Sequence, residues 1–220
     1  MKNIFLPFSL LLLATCFSPL TFGQATELKP GLPLGAATQA GHLEGVNYVN
    51  VFFGLSFSIP GDWIVVQGRN KEIAESSKKL VANEEAKKRA EYEKSIERST
   101  ILLGLTRVPS GAPNNASVLV IAELVSSPAI KNGIDALRTM ETMTKNSSFL
   151  VEFQNGIRSE TINGVEFGVA TVKTTSETGT FSQKVYMMVK NGHALEFFFT
   201  YQDAVHLATF DKLMNTVKIK

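Results

Sequence analysis

The stretch from Gly54 to Val66 reads GLSFSIPGDWIVV and combines a strand, a corner and a tryptophan. Residues 55–59 alternate strictly between apolar and polar side chains, which is typical of a strand that buries one face. Pro60 cannot donate a ladder hydrogen bond and Gly61 accepts unusual backbone angles, so the strand is expected to end there. Residues 63–66 then resume as a second strand. The stretch therefore predicts a first hairpin.

Trp63 follows the corner directly and is the only tryptophan in the chain. Its main predicted role is structural, as a core side chain that anchors the corner. The alternative is that its ring lines the mouth of a pocket and stacks on a ligand, since aromatic side chains also serve in that way.

The first 25 residues have the pattern of a secretory signal peptide. Lys2 precedes an apolar run over residues 4–17, and small residues lead up to Ala25. Prolines interrupt the apolar segment, which is shorter than the roughly 20 residues that a membrane-spanning helix needs. We therefore expect cleavage after Ala25 and a secreted or periplasmic protein.

Cys16 is the only cysteine in the chain. Cleavage after Ala25 removes it, which excludes disulfides, thiolate metal sites and cysteine nucleophiles from the mature protein, so a packed core must supply the stability. Residues 13–16 loosely resemble a lipobox. A lipidated Cys16 and an envelope-tethered lipoprotein are therefore the alternative.

Composition predicts two further segments after the leader. Residues 26–46 are rich in Gly, Ala and Pro without apolar periodicity and are predicted to be a flexible spacer. Residues 47–220 are long enough for a single domain. The formal charge of +2 falls to +1 when Lys2 is lost with the leader, so neither nucleic acid nor an anionic membrane is implied as a partner. Membrane contact is expected only through the signal peptide or a lipidated Cys16.

Residues 70–98 contain no proline or glycine and are crowded with charged helix formers. Glutamates stand four residues before lysines or arginines, an order that adds a few tenths of a kcal/mol per pair. The apolar residues form no continuous stripe, so we predict one long, solvated helix. Its basic run, Lys87, Lys88 and Arg89, is the candidate interface for a protein partner.

The second half of the chain reads as two central strands, a helix and a meander. Residues 101–106 and 118–122 are apolar on both faces, as in strands at the centre of a covered sheet. Helical spacing follows over residues 130–140. Asn-Gly pairs then mark tight hairpin turns, and a closing helix begins near Asp203, on which the chain is expected to end.

Together these elements predict an α+β fold, an antiparallel meander flanked by helices. The segments FSIPGDW, MVKNGHALEFFFTY and TVKIK resemble the PsbP-like α/β/α sandwich family, which includes secreted bacterial members of unknown function. The resemblance covers residues 47–220, with residues 70–98 as an insertion or enlarged helix after the first hairpin. It implies a binding or assembly-supporting module and transfers no functional residue to this chain.

The sequence contains no recognised catalytic or phosphate-binding motif. Glu123 and Glu196 fall in apolar strands, where a carboxylate is costly unless it reaches solvent or a partner. If both meet His193 in one cleft, they form a proton-transfer site, and a hydrolase is the alternative. The main hypothesis is a non-catalytic binding domain, without cofactor or metal, that contacts a protein partner or a small apolar ligand.

Overall fold

A seven-stranded antiparallel sheet forms the centre of the molecule. The computed structural model describes residues 41–66, 86–108, 116–145, 150–176 and 179–220. In spatial order the strands of this central sheet are β4 (Ile64–Val66), β5 (Ser99–Thr106), β6 (Ser117–Leu124), β10 (His193–Tyr201), β9 (Gly179–Lys190), β8 (Val165–Ser176) and β7 (Leu150–Ile162). The runs that are apolar on both faces lie in its interior, as the sequence predicted.

A smaller sheet covers one face of the central sheet. Its order is β1 (His42–Glu44), β2 (Asn47–Asn50), β3 (Leu55–Ser58) and β11 (Lys218–Ile219). Helix α3 (Leu207–Met214) buries Phe210 in the same core. Phe57 of the small sheet meets Phe197 of the central sheet with ring centroids 6.0 Å apart. One hydrophobic core therefore lies between the two sheets and α3.

The opposite face of the central sheet is covered by helices. Helix α2 (Gly133–Thr144) places Leu137 and Met140 against this face, where both are fully buried. Helix α1 (Ala86–Arg98) adds Ile96 to the same core. Asn132 caps the start of α2 by accepting a hydrogen bond from the backbone N–H of Asp135 at 2.9 Å. The molecule thus has helices, a large sheet, and a small sheet with α3, in that order.

The predicted α+β class and the antiparallel meander are confirmed. The predicted first hairpin is wrong, because β3 pairs with β2 and β11 in the small sheet whereas β4 pairs with β5 in the central sheet. At the corner, the N–H of Trp63 donates to the carbonyl oxygen of Pro60 at 3.0 Å. The Pro-Gly corner therefore carries the chain from one sheet to the other instead of folding it back on itself.

Three further expectations need correction. The long helix over residues 70–98 is not borne out, because α1 has 13 residues and residues 67–85 lie outside the described part. Residues 41–46 of the predicted spacer lie in the β1–β2 hairpin, where Leu43 pairs with Tyr48. The chain does not end on a helix, since β11 follows α3 and pairs with β3. In the last two cases a neighbouring strand, β2 or β3, supplies the backbone hydrogen-bond partners. Composition does not reveal such a pairing.

Candidate functional site

Two acidic side chains are buried on the helix-covered face of the central sheet. Glu123 is 7% exposed and Glu196 is 1% exposed. Ala194 lies opposite Glu123 in the register of β6 and β10, and Glu196 lies opposite Ile121. The two glutamates are therefore diagonal neighbours on one face, and the Cα atoms of such neighbours are about 7–8 Å apart.

A cleft lies above these carboxylates, between α2 and the loop that follows β6. We call it the carboxylate cleft. Its cavity measures about 30 Å³, and its lining includes Glu123, Glu196, Ser126, Thr139 and the apolar residues Val125, Ile130, Ala136 and Met187. A water molecule needs about 10–15 Å³ by this measure, so the cavity has room for about two or three water-sized groups. The site combines an acidic floor with apolar walls.

Arg98, the last residue of α1, supplies positive charge to the cleft. Its Nη2 atom lies 3.9 Å from Oε1 of Glu123. Arg98, Glu123 and Glu196 each make further polar or electrostatic contacts. Glu123 thus has a cationic partner, as a charge in an apolar strand requires.

His193 is not on the same face of the central sheet as these carboxylates. It lies at the start of β10 on the opposite face, where its ring meets Phe52 and Phe53 at centroid distances of 5.7 Å and 5.4 Å. Its Nδ1 atom is 2.9 Å from the carbonyl oxygen of Asn191. The hydrolase hypothesis requires the glutamates and His193 to meet in one cleft, and they do not. The sequence carried a signal for this, because residues three apart in a strand point to opposite faces.

Trp63 lies in the core between the two sheets and α3. It is 7% exposed and packs edge to face on Phe210, with ring centroids 5.9 Å apart. Its indole Nε1 has no hydrogen-bond partner within the described part of the chain. Trp63 lines neither the carboxylate cleft nor the cavity at the start of α2.

The predicted basic interface lies in the first half of α1. Arg89 is exposed there, whereas the side chains of Lys87 and Lys88 lie outside the described part. An interface at these three residues stays a prediction. Arg98, at the other end of the helix, was missed, because only the folded chain brings it beside Glu123.

A second charged group attaches α3 to the central sheet. Lys184 Nζ donates to Asp211 Oδ1 at 2.8 Å and stands 5.1 Å from the ring centre of Tyr186. Burial alone lowers the pKa of Lys184, but its contacts with Asp211 and Tyr186 outweigh that effect and the pKa is raised. Lys184 is thus held in its charged form, as suits a structural ion pair.

Across the residues described, no three His, Cys, Asp or Glu side chains are grouped so as to hold a metal ion.

The fold and the cleft together define a two-sheet α+β domain with an acidic cleft on the helix-covered face. No family model and no curated protein matches the chain. The solution structure of cyanobacterial PsbP from Synechocystis is similar to it, with 13% identity, 82% of this chain and 98% of that chain covered, and a TM-score of 0.48. This agrees with the resemblance expected from the sequence and concerns the fold alone.

Two other solved structures are similar to this chain. A protein of unknown function from Pseudomonas aeruginosa shares 15% identity over 53% of this chain and 81% of its own, with a TM-score of 0.43. A crystal structure from Bacteroides thetaiotaomicron shares 12% identity over 81% of this chain and 49% of its own, also with a TM-score of 0.43. None of the described helices is long and apolar enough to span a membrane.

Proposed function

We propose that this protein is a secreted or periplasmic, non-catalytic binding domain that takes a cationic side chain of a protein partner into its carboxylate cleft. One observation carries the proposal. Glu123 and Glu196 are both buried, and they line a cleft whose other lining residues are mainly apolar. Such a lining suits a group with an apolar stem and a positive head.

A lysine side chain has this chemistry. Its methylene stem packs on apolar surface while its ammonium group seeks a carboxylate. Arg98 stands 3.9 Å from Glu123, which is longer than the 2.7–2.9 Å or so of a charge-assisted hydrogen bond. A carboxylate accepts at about four positions, so a partner's ammonium group can share Glu123 with Arg98.

The position of His193 supports binding over hydrolysis. The sheet separates it from both glutamates, so the group that would relay protons to and from the carboxylates is not beside them. The cleft therefore provides charge and shape that suit the binding of a cationic side chain.

Two model compounds test the cleft directly. Nα-acetyl-lysine amide and Nα-acetyl-norleucine amide share an apolar stem and differ in the charged head. In NMR titrations the lysine compound is expected to shift backbone amides around residues 123–126 and to bind at least about tenfold more tightly, since a hydrogen bond to a charged group contributes about 1.5–3 kcal/mol. Glu196→Gln keeps the shape, removes the charge and is expected to remove this preference.

Glu152→Gln is the matched control, because Glu152 is exposed on the edge strand β7. It should bind both compounds as the unaltered protein does. Equal affinity for the lysine and norleucine compounds, or an unchanged preference in Glu196→Gln, would contradict the proposed cleft. Thermal unfolding of each variant separates a binding defect from a folding defect.

Export is proposed from the sequence pattern of the leader, which lies outside the described residues. Mass spectrometry of the protein purified from the cell envelope and culture medium is expected to find a chain that starts at Thr26. A chain that starts at a diacylated Cys16 would instead establish the lipoprotein alternative.

A further inference from the structure

The turn between β2 and β3 presents apolar side chains to solvent. Val51 is 82% exposed and Phe52 is 39% exposed, while the next residue, Phe53, is fully buried. We call Val51 and Phe52 the apolar tip. Turns at the surface are ordinarily built from polar residues and glycine, so two large apolar side chains at this position call for a reason.

Hydrogen bonds hold the apolar tip in place. The N–H of Gly54 donates to the carbonyl oxygen of Val51 at 3.2 Å, and that of Phe53 donates to Oδ1 of Asn50 at 3.2 Å. The side-chain amide of Asn191 donates to the carbonyl oxygen of Phe52 at 2.6 Å. The exposure of the tip is therefore a property of the folded turn.

The apolar surface continues onto the central sheet. The ring of Phe52 meets His193 edge to face at 5.7 Å. Leu124 lies opposite His193 in the register of β6 and β10 and is 46% exposed. Val51, Phe52 and Leu124 thus belong to one end of the molecule, where β6 ends and β10 begins.

Two lysines lie beside the apolar tip. The backbone N–H of Lys220 donates to the carbonyl oxygen of Gly54 at 3.0 Å, and Lys190 Nζ donates to the carbonyl oxygen of Lys220 at 2.9 Å. Lys131, exposed in the loop before α2, lines a cavity that also contains Val189 and the exposed Glu166, so its charge is offset there. Glu123 lies at the same end but is buried on the far face of the sheet. Lys190 and Lys220 therefore give the apolar tip a basic side.

We propose that the apolar tip inserts into the interfacial region of an anionic lipid membrane. Apolar side chains gain by entering the boundary between headgroups and acyl chains, and lysines at the surface are attracted to anionic headgroups. The tip meets both requirements at once. The near-neutral total charge does not reveal this property, because it does not show where individual lysines lie. The inference is independent of the carboxylate cleft.

A tryptophan placed at the tip reports insertion directly. Val51→Trp and Val205→Trp are compared in the full chain, because Val205 is also exposed, at 68%, but follows the other end of β10. The nine residues of β10 separate the two positions by roughly 25 Å. With phosphatidylcholine vesicles that contain phosphatidylglycerol, we expect a blue shift and protection from iodide quenching for Val51→Trp only. Both variants contain Trp63 and residues 1–40, so any fluorescence or membrane binding that these contribute is the same in both.

Two further variants test the apolar side chain and the lysine charge separately. Phe52→Ser is expected to lower the vesicle-bound fraction about fivefold relative to Val205→Ser, because the phenyl ring supplies much of the apolar surface that inserts. Lys220→Gln, which leaves the backbone contact of Lys220 intact, is expected to weaken binding in low salt. An unshifted Val51→Trp, an equal shift in Val205→Trp, or an equal shift with pure phosphatidylcholine vesicles overturns the proposal. If the tip binds a protein instead of a membrane, the fluorescence of Val51→Trp does not shift with vesicles.

Discussion

Gly133→Ala and Gly168→Ala are each expected to lower the free energy of unfolding by about 3 kcal/mol or more, since overpacking against rigid backbone is among the costliest single changes. The start of α2 lies directly on β8 and β9 at these glycines. A methyl group on Gly133 would overlap the carbonyl oxygen of Met187, and one on Gly168 would overlap the backbone of Gly133. Backbone cannot rotate away as a side chain can, so the helix must shift.

Denaturant unfolding measures this effect, and Gly61→Ala provides its control. No atom lies within 4 Å of a methyl group built on Gly61, and the expected change there is within about 0.5 kcal/mol. If all three variants unfold at the same denaturant concentration, the close approach of α2 to the sheet is wrong. Because α2 forms a wall of the carboxylate cleft, a variant that remains folded is also expected to bind the lysine compound more weakly.

Phe210→Ala is expected to cost about 3–5 kcal/mol of unfolding free energy, as deletion of a fully buried ring generally does. Phe210 has no exposed surface and joins the rings of Trp63, Phe199 and Tyr201 at centroid distances of 5.9, 4.8 and 6.0 Å. The substitution removes the ring that joins α3 to the central sheet and leaves a cavity beside Trp63.

Phe52→Ala is the matched control, because Phe52 is 39% exposed and lies at the apolar tip. Its expected cost is about 1 kcal/mol or less. The fluorescence of Trp63 adds a second measurement, since its emission should move to longer wavelength in Phe210→Ala and stay unchanged in Phe52→Ala. Equal losses of stability in the two variants would mean that α3 is not held by the core.

Part of the candidate site was available from the sequence. Glu123 and Glu196 stood out because carboxylates are unusual in apolar strands, and they lie together in the structure. Arg98 was not foreseen as their partner, because the link between the end of α1 and β6 exists only in the folded chain. The apolar tip was also missed, because only the folded turn shows that Val51 and Phe52 are exposed while Phe53 is buried.

The sequence by itself determined the local elements. Alternation over residues 55–59 specified a half-buried strand, and two Asn-Gly pairs specified turns, with Asn163 and Asn191 in the left-handed region at φ 50°. The third pair, Asn155-Gly156, was expected to form a turn but lies inside β7, at an irregularity in its pairing with β8. The spacing of apolar residues specified the buried face of α2. Each of these depends on side chains a few positions apart, which interact in the same way wherever the segment lies.

Only the tertiary structure decided which strands pair and what each face meets. Whether the strand after Pro60 returns to its predecessor or joins β5 depends on where Trp63 finds a core, and that core includes Phe210 near the other end of the chain. The pairing of β11 with β3 has the same origin. Many strand pairings satisfy the hydrogen bonds of a given segment, and the packing of distant side chains selects one of them.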